Sequence, residues 1–431
     1  MRRLYRVSFL SIIVGLLCHL PAQAAILQVH PTGAGQGNRP PQEGVISFTI
    51  GDNRSGDRPD DLQAAIDRAG DGDTLRIWPG RYLTRVTKFT EALCGNCQEH
   101  RTPVETSRGF TIRGKSLVLQ GMDRDSTILV TRAGYGVLII DSPSCRIESM
   151  TITGGKRNPD GKATDAGIVV RRSHVAIIDV AIRDNTSRID SVVVGIGGIM
   201  GREGAEILVE HCLIENNGWD GIALYRGATA LIRDNIIHAG RGAGIGITWD
   251  SAALILRNDI SGFWKGIGSF GDSRVVVRNN AVHDNLGWGL VATGGSWMDA
   301  SHNVIIRNGN CGFALWSETA RARLLHNIIV ENGWRDEWVC PCVGVWLNGR
   351  REKLEFGFNN VWGNVEGEYR DLDDLTGIDG NLSVNPVLRD SLDFRLMDDS
   401  DLRDKGNPQF TDVDGSPPDL GIEGGPSAAG R

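Results

Sequence analysis

Apolar and polar positions alternate in short stretches along most of the chain, and from Gly198 to about Gly349 this alternation recurs every 22 to 23 residues. The stretches are rich in Val and Ile, which is typical of β-strands. A glycine opens each recurring unit, namely Gly198, Gly221, Gly244, Gly266, Gly289, Gly312 and, after a longer unit, Gly344. Because a fixed period of this length is the signature of a solenoid, the chain is predicted to stack repeated coils on one another.

Asparagines recur in step with the glycines. The pattern around each is apolar-x-apolar-x-x-Asn-x-apolar, as at Ala230, Ile232, Asn235 and Ile237, which is strand periodicity interrupted by a bend. One set comprises Asn235, Asn258, Asn280, Asn303 and Asn327, and a second comprises Asn217, Asn285, Asn308, Asn332 and Asn364. Both sets are expected to form ladders of stacked amides, because a buried bend would otherwise leave polar groups unpaired.

Three short strands joined by Gly, Asn and Asp bends fit a unit of this length. The predicted fold is therefore all-β: a right-handed single-stranded parallel β-helix with three strands per coil and coils about 4.8 Å apart. One helix is predicted between Pro59 and Gly70, with Leu62, Ala65, Ile66 and Ala69 on one face. We expect this helix to cover the open end of the first coil and to hide its strand edges.

Residues 1–24 have the pattern of a signal peptide. Arg2, Arg3 and Arg6 precede an apolar run from Val7 to Leu20, and Ala22-Gln23-Ala24 offers a cleavage site. Because the run is too short for a comfortable membrane span, the protein is expected to be exported, either secreted or periplasmic. The rest is predicted to be one β-helix domain over 25–375 and an irregular C-terminal tail over 376–431 that packs on it.

Motifs near both ends resemble those of one family. Asp71-Gly72-Asp73-Thr74, Pro79-Gly80-Arg81-Tyr82 and Ile112-Arg113-Gly114-Lys115-Ser116-Leu117 resemble the opening coils of bacterial right-handed β-helix repeat proteins of the pectate-lyase-like superfamily. Asn385-Pro386-Val387 and Asp412-Val413-Asp414-Gly415 resemble the tail of that family. The resemblance implies the fold but no single reaction, because the superfamily includes polysaccharide lyases, glycoside hydrolases, uronan epimerases and periplasmic accessory proteins of copper enzymes.

The charge of the chain limits which kinds of binding partner are expected. With 46 basic and 53 acidic residues the net charge is −7, and no basic run appears, so a nucleic-acid partner is not expected. The family resemblance favours a polysaccharide or other glycan as partner, and no cofactor is predicted. The alternative is a non-catalytic scaffold of the envelope or cell surface, or a periplasmic accessory protein of a metalloenzyme.

Candidate catalytic groups depend on which way the side chains of the opening strand point. Residues one and three after each glycine are predicted to face inward, and those two and four after it to face solvent. The outward set is Ala223, Tyr225, Gly246, Thr248, Gly268, Phe270, Val291, Thr293, Ala314 and Trp316. Lyases of this superfamily carry acidic calcium ligands and a basic residue on this face, so its lack of charge argues against a calcium-dependent lyase.

Three carboxylates stand six residues after an opening glycine, at the lip of that strand: Asp250, Asp272 and Glu318. Carboxylates on nearby coils can supply the acid and the base that cleave a glycosidic bond, and a two-coil gap of about 9.6 Å lies at the edge of the inverting range. The alternative is that they are solvated residues that stabilise their turns. His302 and His326, each directly before a ladder asparagine, are a candidate metal pair or a surface polar ladder.

Five aromatic residues form an intermittent outward stripe: Tyr225, Trp249, Phe270, Trp316 and Trp346. Aromatic faces suit the apolar faces of sugar rings, so these residues are the predicted substrate-binding groups. The alternative is that inserted segments, including Trp334 to Cys342, fold over the stripe and bury it.

Seven of the 8 cysteines remain after removal of residues 1–24. In an oxidising compartment, Cys94 and Cys97 are expected to be oxidised, either to each other or to Cys340 and Cys342. A zinc site that includes Cys94, Cys97 and His100 is the alternative. The remaining Cys145, Cys212 and Cys311 are expected to fill small positions in the coils.

Overall fold

The computed structural model describes residues 62–92, 103–159, 163–187 and 194–428, together with the backbone of two strands, Ile26–His30 and Val45–Thr49. Over these residues the chain winds as a parallel β-helix, as predicted, with three strands in most coils. Two long strands, Cys145–Thr153 and His174–Arg183, each form both the second and the third wall of their coil. One coil consists of Ile222–Tyr225, Thr229–Arg233 and Ile236–His238. Strands of successive coils stack into one sheet of 12 strands and one of 22.

The 12-stranded sheet contains the first strand of each coil and is called the front sheet here. Its strands, numbered in chain order through the whole chain, are β5 Thr87–Glu91, β6 Val104–Arg113, β9 Tyr135–Ile140, β11 Ala166–Arg171, β13 Gly197–Arg202, β16 Ile222–Tyr225, β19 Ala243–Ile247, β22 Lys265–Ser269, β25 Trp288–Ala292, β28 Phe313–Leu315, β31 Val345–Leu347 and β34 Tyr369–Arg370.

The 22-stranded sheet forms the other two walls, because the second and third strands of a coil are separated only by a bend. Its strands are β1 Ile26–His30, β2 Val45–Thr49, β3 Thr74–Ile77, β4 Gly80–Leu83, β7 Leu117–Gly121, β8 Thr127–Val130, β10 Cys145–Thr153, β12 His174–Arg183, β14 Glu206–Glu210, β15 Leu213–Glu215, β17 Thr229–Arg233, β18 Ile236–His238, β20 Ala252–Leu256, β21 Asp259–Ser261, β23 Arg274–Arg278, β24 Ala281–His283, β26 Trp297–Ser301, β27 Val304–Ile306, β29 Arg321–Leu325, β30 Ile328–Val330, β32 Leu354–Gly357 and β33 Asn360–Trp362.

Neighbouring coils pair in parallel and in register, so that like residues stack on like. Ile222 lies opposite Ile245, and Ile245 lies opposite Ile267. All three side chains are fully buried in one aliphatic core that runs along the helix. At the start of the front sheet, β5 pairs antiparallel with β6 and forms a hairpin.

The opening glycine of each unit is required by close packing inside the coil. A Cβ on Gly244 would lie 2.5 Å from Cγ2 of Ile260 and 2.8 Å from the carbonyl oxygen of Gly266. Gly289 and Gly312 meet the third strand of their coils in the same way. The glycines therefore recur because no side chain fits where the front sheet lies against the third strand.

The first predicted asparagine ladder is present, and the second is present from Asn285 onward; Asn217 lies apart from it and pairs with Asn185. The buried Asn258 accepts from the backbone N–H of Asn235 at 3.1 Å and from its side-chain amide at 2.8 Å. Its own Nδ2 donates to the carbonyl of Ile232 at 3.0 Å and to Oδ1 of Asn280 at 2.9 Å. The second ladder links Asn285, Asn308, Asn332 and Asn364 in the same manner. Each amide thus pairs polar groups of two coils.

The predicted helix is confirmed as α1, Leu62–Arg68. Leu62, Ala65 and Ile66 are buried and pack into the core of the coils. Nζ of Lys115 donates to the carbonyl oxygens of Ile66 at 2.5 Å and Ala69 at 2.8 Å. These bonds satisfy carbonyl groups that have no hydrogen-bond partner within the helix at its C-terminal end. The predicted signal peptide lies outside the described residues.

After β34 the chain continues in turns and lies against the third-strand wall. Phe394, Leu402 and Leu420 are buried there against Val304 and Ile328. This segment therefore covers part of the outer surface of the coils. Within the described ranges, no helix has the length and apolar character needed to cross a membrane.

Candidate functional site

The inward and outward alternation of the front sheet breaks at the opening glycine. A Cβ on Gly244 would point into the core, and the next residue, Ile245, is also in the core. The residue before the glycine therefore points outward. The resulting outward column consists of Asp220, Ala243, Lys265, Trp288 and Cys311, and adjacent members such as Lys265 and Trp288 are register partners. The prediction that this face carries no charge is wrong, because it assumed unbroken alternation and omitted this column.

Asp220 is a buried carboxylate above the front sheet. Its Oδ1 accepts the backbone N–H of Ala243 at 2.6 Å, and a Cβ on Gly246 would lie 3.9 Å from its Oδ2. Gly242 makes room for this carboxylate, because a side chain there would collide with Oδ1. Burial raises the pKa of Asp220 to about 6, although the Ala243 N–H and the charge of Lys265 act in the opposite direction.

Lys265 lies two coils further along the same column. Its Nζ is 5.6 Å from the ring centroids of both Phe270 and Trp288, which is within the range of cation–π attraction. Burial lowers the pKa of Lys265, and attraction to Asp220 opposes that change. The pKa values of the acid and the base are therefore shifted toward each other, which is common at catalytic sites and also occurs in structural pairs.

A cavity of about 510 Å³ opens beside Lys265. It combines three tryptophans with three cationic side chains, and its lining residues are Trp219, Arg241, Gly242, Trp264, Lys265, Arg335 and Trp338. Asp220 lies next to the cavity, because Gly242 both lines the cavity and contacts the Asp220 carboxylate. The site is thus a partly apolar recess with positive charge on its walls, and the buried Asp220 carboxylate lies behind Gly242 without lining it.

The outer wall of the cavity comes from the insertion in the longer unit, residues 333–343. The ring of Trp338 meets that of Trp264 edge-on at 4.9 Å, and the Arg335 guanidinium carbon lies 4.9 Å from the Trp264 centroid. Arg335 also donates to the carbonyl of Leu286 at 3.2 Å. Trp338 is 70% exposed, so it stands at the mouth of the cavity.

Three of the predicted aromatic residues meet on the outer face of the front sheet. Trp316 stacks on Trp288 at 5.5 Å and lies 6.1 Å from Trp346, and Phe270 packs against the same cluster. Nε1 of Trp346 donates to Asp371 at 3.0 Å. This cluster adjoins the cavity through Trp264, whose ring lies 5.9 Å from that of Trp288.

The other two predicted aromatic residues lie elsewhere. Tyr225 is buried against Met200 and Ala223, and half-buried Trp249 packs on the same cluster. Burial raises the pKa of the Tyr225 hydroxyl. The structure therefore separates Tyr225 and Trp249 from Phe270, Trp316 and Trp346.

Most positions expected to face solvent are covered by the protein itself. Ala223, Tyr225, Gly246, Gly268, Val291 and Ala314 are buried, while Thr248, Phe270, Thr293 and Trp316 are half-buried. The β5–β6 hairpin covers one end through Phe89 and Val104, and the insertion covers the other through Cys340 and Val343. The expectation of a solvated face is wrong. Of the aromatic stripe, Tyr225 and Trp346 are buried while Trp249, Phe270 and Trp316 are half-buried, and the substrate-binding role of these residues stays a prediction.

The three predicted catalytic carboxylates lie in exposed turns that follow front-sheet strands. Asp250 accepts the backbone N–H of Gly227 at 2.7 Å, and Glu318 pairs with Arg350 at 3.2 Å. Asp272 occupies the equivalent turn of the coil after Asp250. None of the three lines the cavity, and their catalytic role stays a prediction.

Toward the N-terminal end, the front sheet carries a sealed ionic network. Arg171 and Arg202 both donate to the carboxylate of Glu91, as does the hydroxyl of Tyr135. Arg171 also donates to Glu203 at 2.9 Å. Burial alone would raise the pKa of Glu91, but the charges of Arg202 and Arg171 hold it below its ordinary value. Because these groups are buried, they stabilise the hairpin and are closed to a ligand.

The oxidation of Cys94 and Cys97 stays a prediction. Cys94, Cys97 and His100 lie outside the described residues, while Cys340 and Cys342 are buried free thiols. Cys212 is buried and its backbone N–H donates to Asn235 at 2.9 Å, so it occupies the end of the first asparagine ladder.

The cavity residues that sequence reasoning missed carried a usable signal. Asp220 and Lys265 directly precede Gly221 and Gly266, in a position where the other units have Gly, Ala, Trp, Cys or Val. Alignment of the units at this position would have shown the two charges. Arg335 and Trp338 carried no comparable signal, because the insertion has no counterpart in the other units.

Comparison with known proteins places the chain among right-handed solenoids. Residues 123–248 and 197–361, which together span more than half of the 431 residues, match the family model described as "Right handed beta helix region". No curated protein matches the chain.

Similar solved structures share the fold at low sequence identity. Pectate lyase Pel9A is 14% identical, with 92% of this chain and 96% of that chain covered and a TM-score of 0.45. The periplasmic alginate epimerase AlgG is 11% identical, with 75% and 95% covered and a TM-score of 0.42. The A-module of the Azotobacter vinelandii mannuronan C-5 epimerase AlgE6 is 14% identical, with 75% and 94% covered and a TM-score of 0.38.

Proposed function

Since the chain belongs to the right-handed β-helix family, whose stacked coils offer a long surface to a linear polymer, we propose that it binds and chemically modifies an acidic polysaccharide. The cavity lined by Trp264, Lys265 and Arg335 is the observation that carries this proposal. Tryptophan faces pack on the apolar faces of sugar rings, and guanidinium groups pair with carboxylates.

Charge is the reason for an acidic substrate. The protein as a whole carries a net charge of −7, yet Arg241, Lys265 and Arg335 converge on one cavity. A local cluster of positive side chains in a protein of negative net charge favours binding of an anionic ligand. A uronate polymer supplies both the carboxylates and the sugar faces that this lining suits.

The protonation states of Asp220 and Lys265 support proton abstraction next to a carboxylate. With a pKa of about 6, Asp220 is mostly ionised at neutral pH and acts as the base. It takes the proton from the carbon that bears the substrate carboxylate, and the electron pair of that C–H bond moves into the carboxylate. Lys265 stabilises the charge that develops there. Expulsion of the neighbouring glycosidic oxygen, which takes up a proton from water and leaves as the alcohol, gives a lyase. Transfer of a proton from water to the opposite face of the same carbon gives an epimerase.

The test is incubation of the purified protein with polygalacturonate and alginate, with a neutral glucan as control. Ultraviolet absorbance reports an unsaturated product, and NMR reports a change of uronate configuration. Asp220→Asn should lower kcat by about 100-fold or more, with little change in binding. Asp272→Asn is the matched variant at a turn carboxylate. Loss of turnover only in Asp272→Asn would transfer the chemistry to the turn residues, and absence of both binding and turnover would refute the proposal.

A non-catalytic scaffold is the second candidate, and burial of Tyr225 and Trp346 favours it. Their burial removes aromatic surface that a bound chain of sugars would use. Binding of acidic polysaccharide without any product in the same assay would select this function. Export also remains a proposal, and N-terminal sequencing of protein recovered outside the cytoplasm would test cleavage after Ala24.

A further inference from the structure

A cysteine pair lies beneath the insertion that walls the cavity. Cys311 belongs to the outward column on the front sheet, and Cys340 belongs to the insertion. Both side chains pack in one buried cluster with Trp288 and Val343. Burial and the neighbouring Cys340 thiol both raise the pKa of the Cys311 thiol. Cys311 is 0% and Cys340 1% exposed, so both thiols are sealed from solvent.

The third thiol of this region has other partners. Sγ of Cys342 lies 2.8 Å from the carbonyl oxygen of Arg335 and 3.6 Å from Nδ2 of Asn310. Backbone groups of Cys342 bond to Glu366 as well, since the Glu366 N–H donates to the Cys342 carbonyl at 2.9 Å. Cys342 therefore anchors the insertion by hydrogen bonds, and Cys340 is the thiol of the insertion that shares a buried cluster with Cys311.

We propose that Cys311 and Cys340 are a redox pair that forms a disulfide when the chain folds under oxidising conditions, and that this bond attaches the insertion to the front sheet. Each thiol loses its proton, and the two sulfur atoms lose two electrons as the S–S bond forms. The electrons and protons pass to a small-molecule or protein disulfide, such as glutathione disulfide, which becomes two thiols.

Burial determines when this exchange happens. The thiolate is the attacking species, and burial raises the pKa of the Cys311 thiol well above its ordinary value. The pair therefore reacts while the chain folds, before the insertion closes, and the folded protein resists both oxidation and reduction at this position.

The bond has a consequence for the cavity. It would join β28, through the residues just before it, to the segment that carries Arg335 and Trp338, and so hold both side chains against Trp264. This consequence rests on the proposed function, whereas the pairing itself does not.

The test is refolding of the reduced, denatured full chain in a mixture of glutathione and glutathione disulfide, followed by proteolysis and mass spectrometry. The expected product is a peptide in which Cys311 is linked to Cys340. A link from Cys340 to Cys94, Cys97 or Cys342 would overturn the proposal. So would alkylation of both Cys311 and Cys340 after the refolded protein is unfolded without reductant.

A second measurement reports the attachment of the insertion. Trypsin should cut after Arg335 about tenfold faster in Cys340→Ser than in the oxidised wild type, because the insertion opens locally without its bond. Cys212→Ser is the matched control, since the Cys212 thiol contacts only carbonyl oxygens. Equal cutting rates in all three proteins would contradict the proposal. If the disulfide forms and acidic polysaccharide does not bind, the proposed function fails and the pairing stands.

Discussion

Nδ1 of His326 lies 3.1 Å from Nε2 of His302, and the C-terminal segment seals both rings. Nε2 of His326 accepts the backbone N–H of Asn407 at 3.0 Å, so its Nδ1 carries the proton and donates to His302. Nδ1 of His302 in turn donates to the carbonyl oxygen of Asp419 at 3.2 Å. Because every ring nitrogen has a partner, this pair joins the tail to the coils and leaves no nitrogen free for the metal considered from sequence.

Acid should weaken the attachment of the tail. Burial is the main reason that the pKa of His302 falls to about 3 and that of His326 to about 4. The unfolded chain takes up protons below about pH 6.5 and the folded chain does not, so this stability is complete above that pH and is lost as pH falls. We expect a loss of about 2 kcal/mol per ring by pH 4.5.

Hydrogen exchange of the amides between Leu402 and Ile422 at pH 7.5 and pH 4.5 measures this loss. His302→Gln should reduce the pH dependence, whereas exposed His174→Gln should leave it unchanged. His283 acts in the opposite direction: burial lowers its pKa, but hydrogen bonds to Asp259 and Asp284 outweigh burial and raise it. Equal protection of the tail at both pH values would contradict the prediction.

Trp338→Ala should weaken binding of an acidic polysaccharide by about 1 to 2 kcal/mol, because the ring supplies one side of the cavity. Trp334→Ala is the matched control. Trp334 lies in the same insertion and is 53% exposed, but its Nε1 donates to the Arg307 carbonyl at 2.7 Å and it does not line the cavity. Calorimetric titration of both variants measures the effect, and an equal loss in the two would argue against the cavity as the binding site.

The turnover rate should fall as pH drops through about 6, because Asp220 must be ionised to act as the base. A pH–rate profile of kcat checks this, after exclusion of the pH range in which the tail loosens. In Asp220→Asn the residual rate should lose that dependence. A profile that is flat between pH 5 and 7 in the wild-type protein would rule out Asp220 as the base.

Asn258→Leu should lower the free energy of unfolding by at least about 3 kcal/mol, because several buried groups of the ladder lose their partners at about 1 to 3 kcal/mol each. Exposed Arg274→Ala should change it by less than about 0.5 kcal/mol. Arg257, although it precedes Asn258 on the same coil, is unsuitable as a surface control, since it donates to both oxygens of Asp234 at 2.7 Å. Denaturant titration measures the free energy of unfolding of both variants. Equal values for Asn258→Leu and Arg274→Ala would contradict the stabilising role of the ladder.

Gly244→Ala and Gly246→Ala differ by two positions on one strand, yet their effects should differ strongly. The first places a methyl group 2.5 Å from Ile260 inside the coil and should cost about 1 to 3 kcal/mol. The second points outward, where the nearest atom is 3.6 Å away, and should be close to neutral. Thermal unfolding measures both, and similar Tm values would show that the repeated glycine is not a packing requirement.

The repeat in the sequence is sufficient to determine the architecture. Glycine and asparagine recur at a fixed spacing because each marks a contact that successive coils repeat: Gly244 packs against the third strand of its own coil, and Asn258 bonds to Asn280 of the next. Such contacts are local to one coil and its neighbour, so the period of the sequence reports them directly. The helix α1 was predictable for a similar reason, since its apolar face lies within one short segment.

Only the tertiary structure decided where a ligand can bind. Asp220 and Lys265 were hidden because the backbone turns at the opening glycine and reverses the alternation on which the sequence argument depended. The wall formed by Arg335 and Trp338, and the meeting of Cys311 with Cys340, depend on how an insertion folds back over the front sheet. The insertion has no repeated sequence pattern. Its contacts therefore cannot be predicted from residue spacing and are determined by how it packs on the coils.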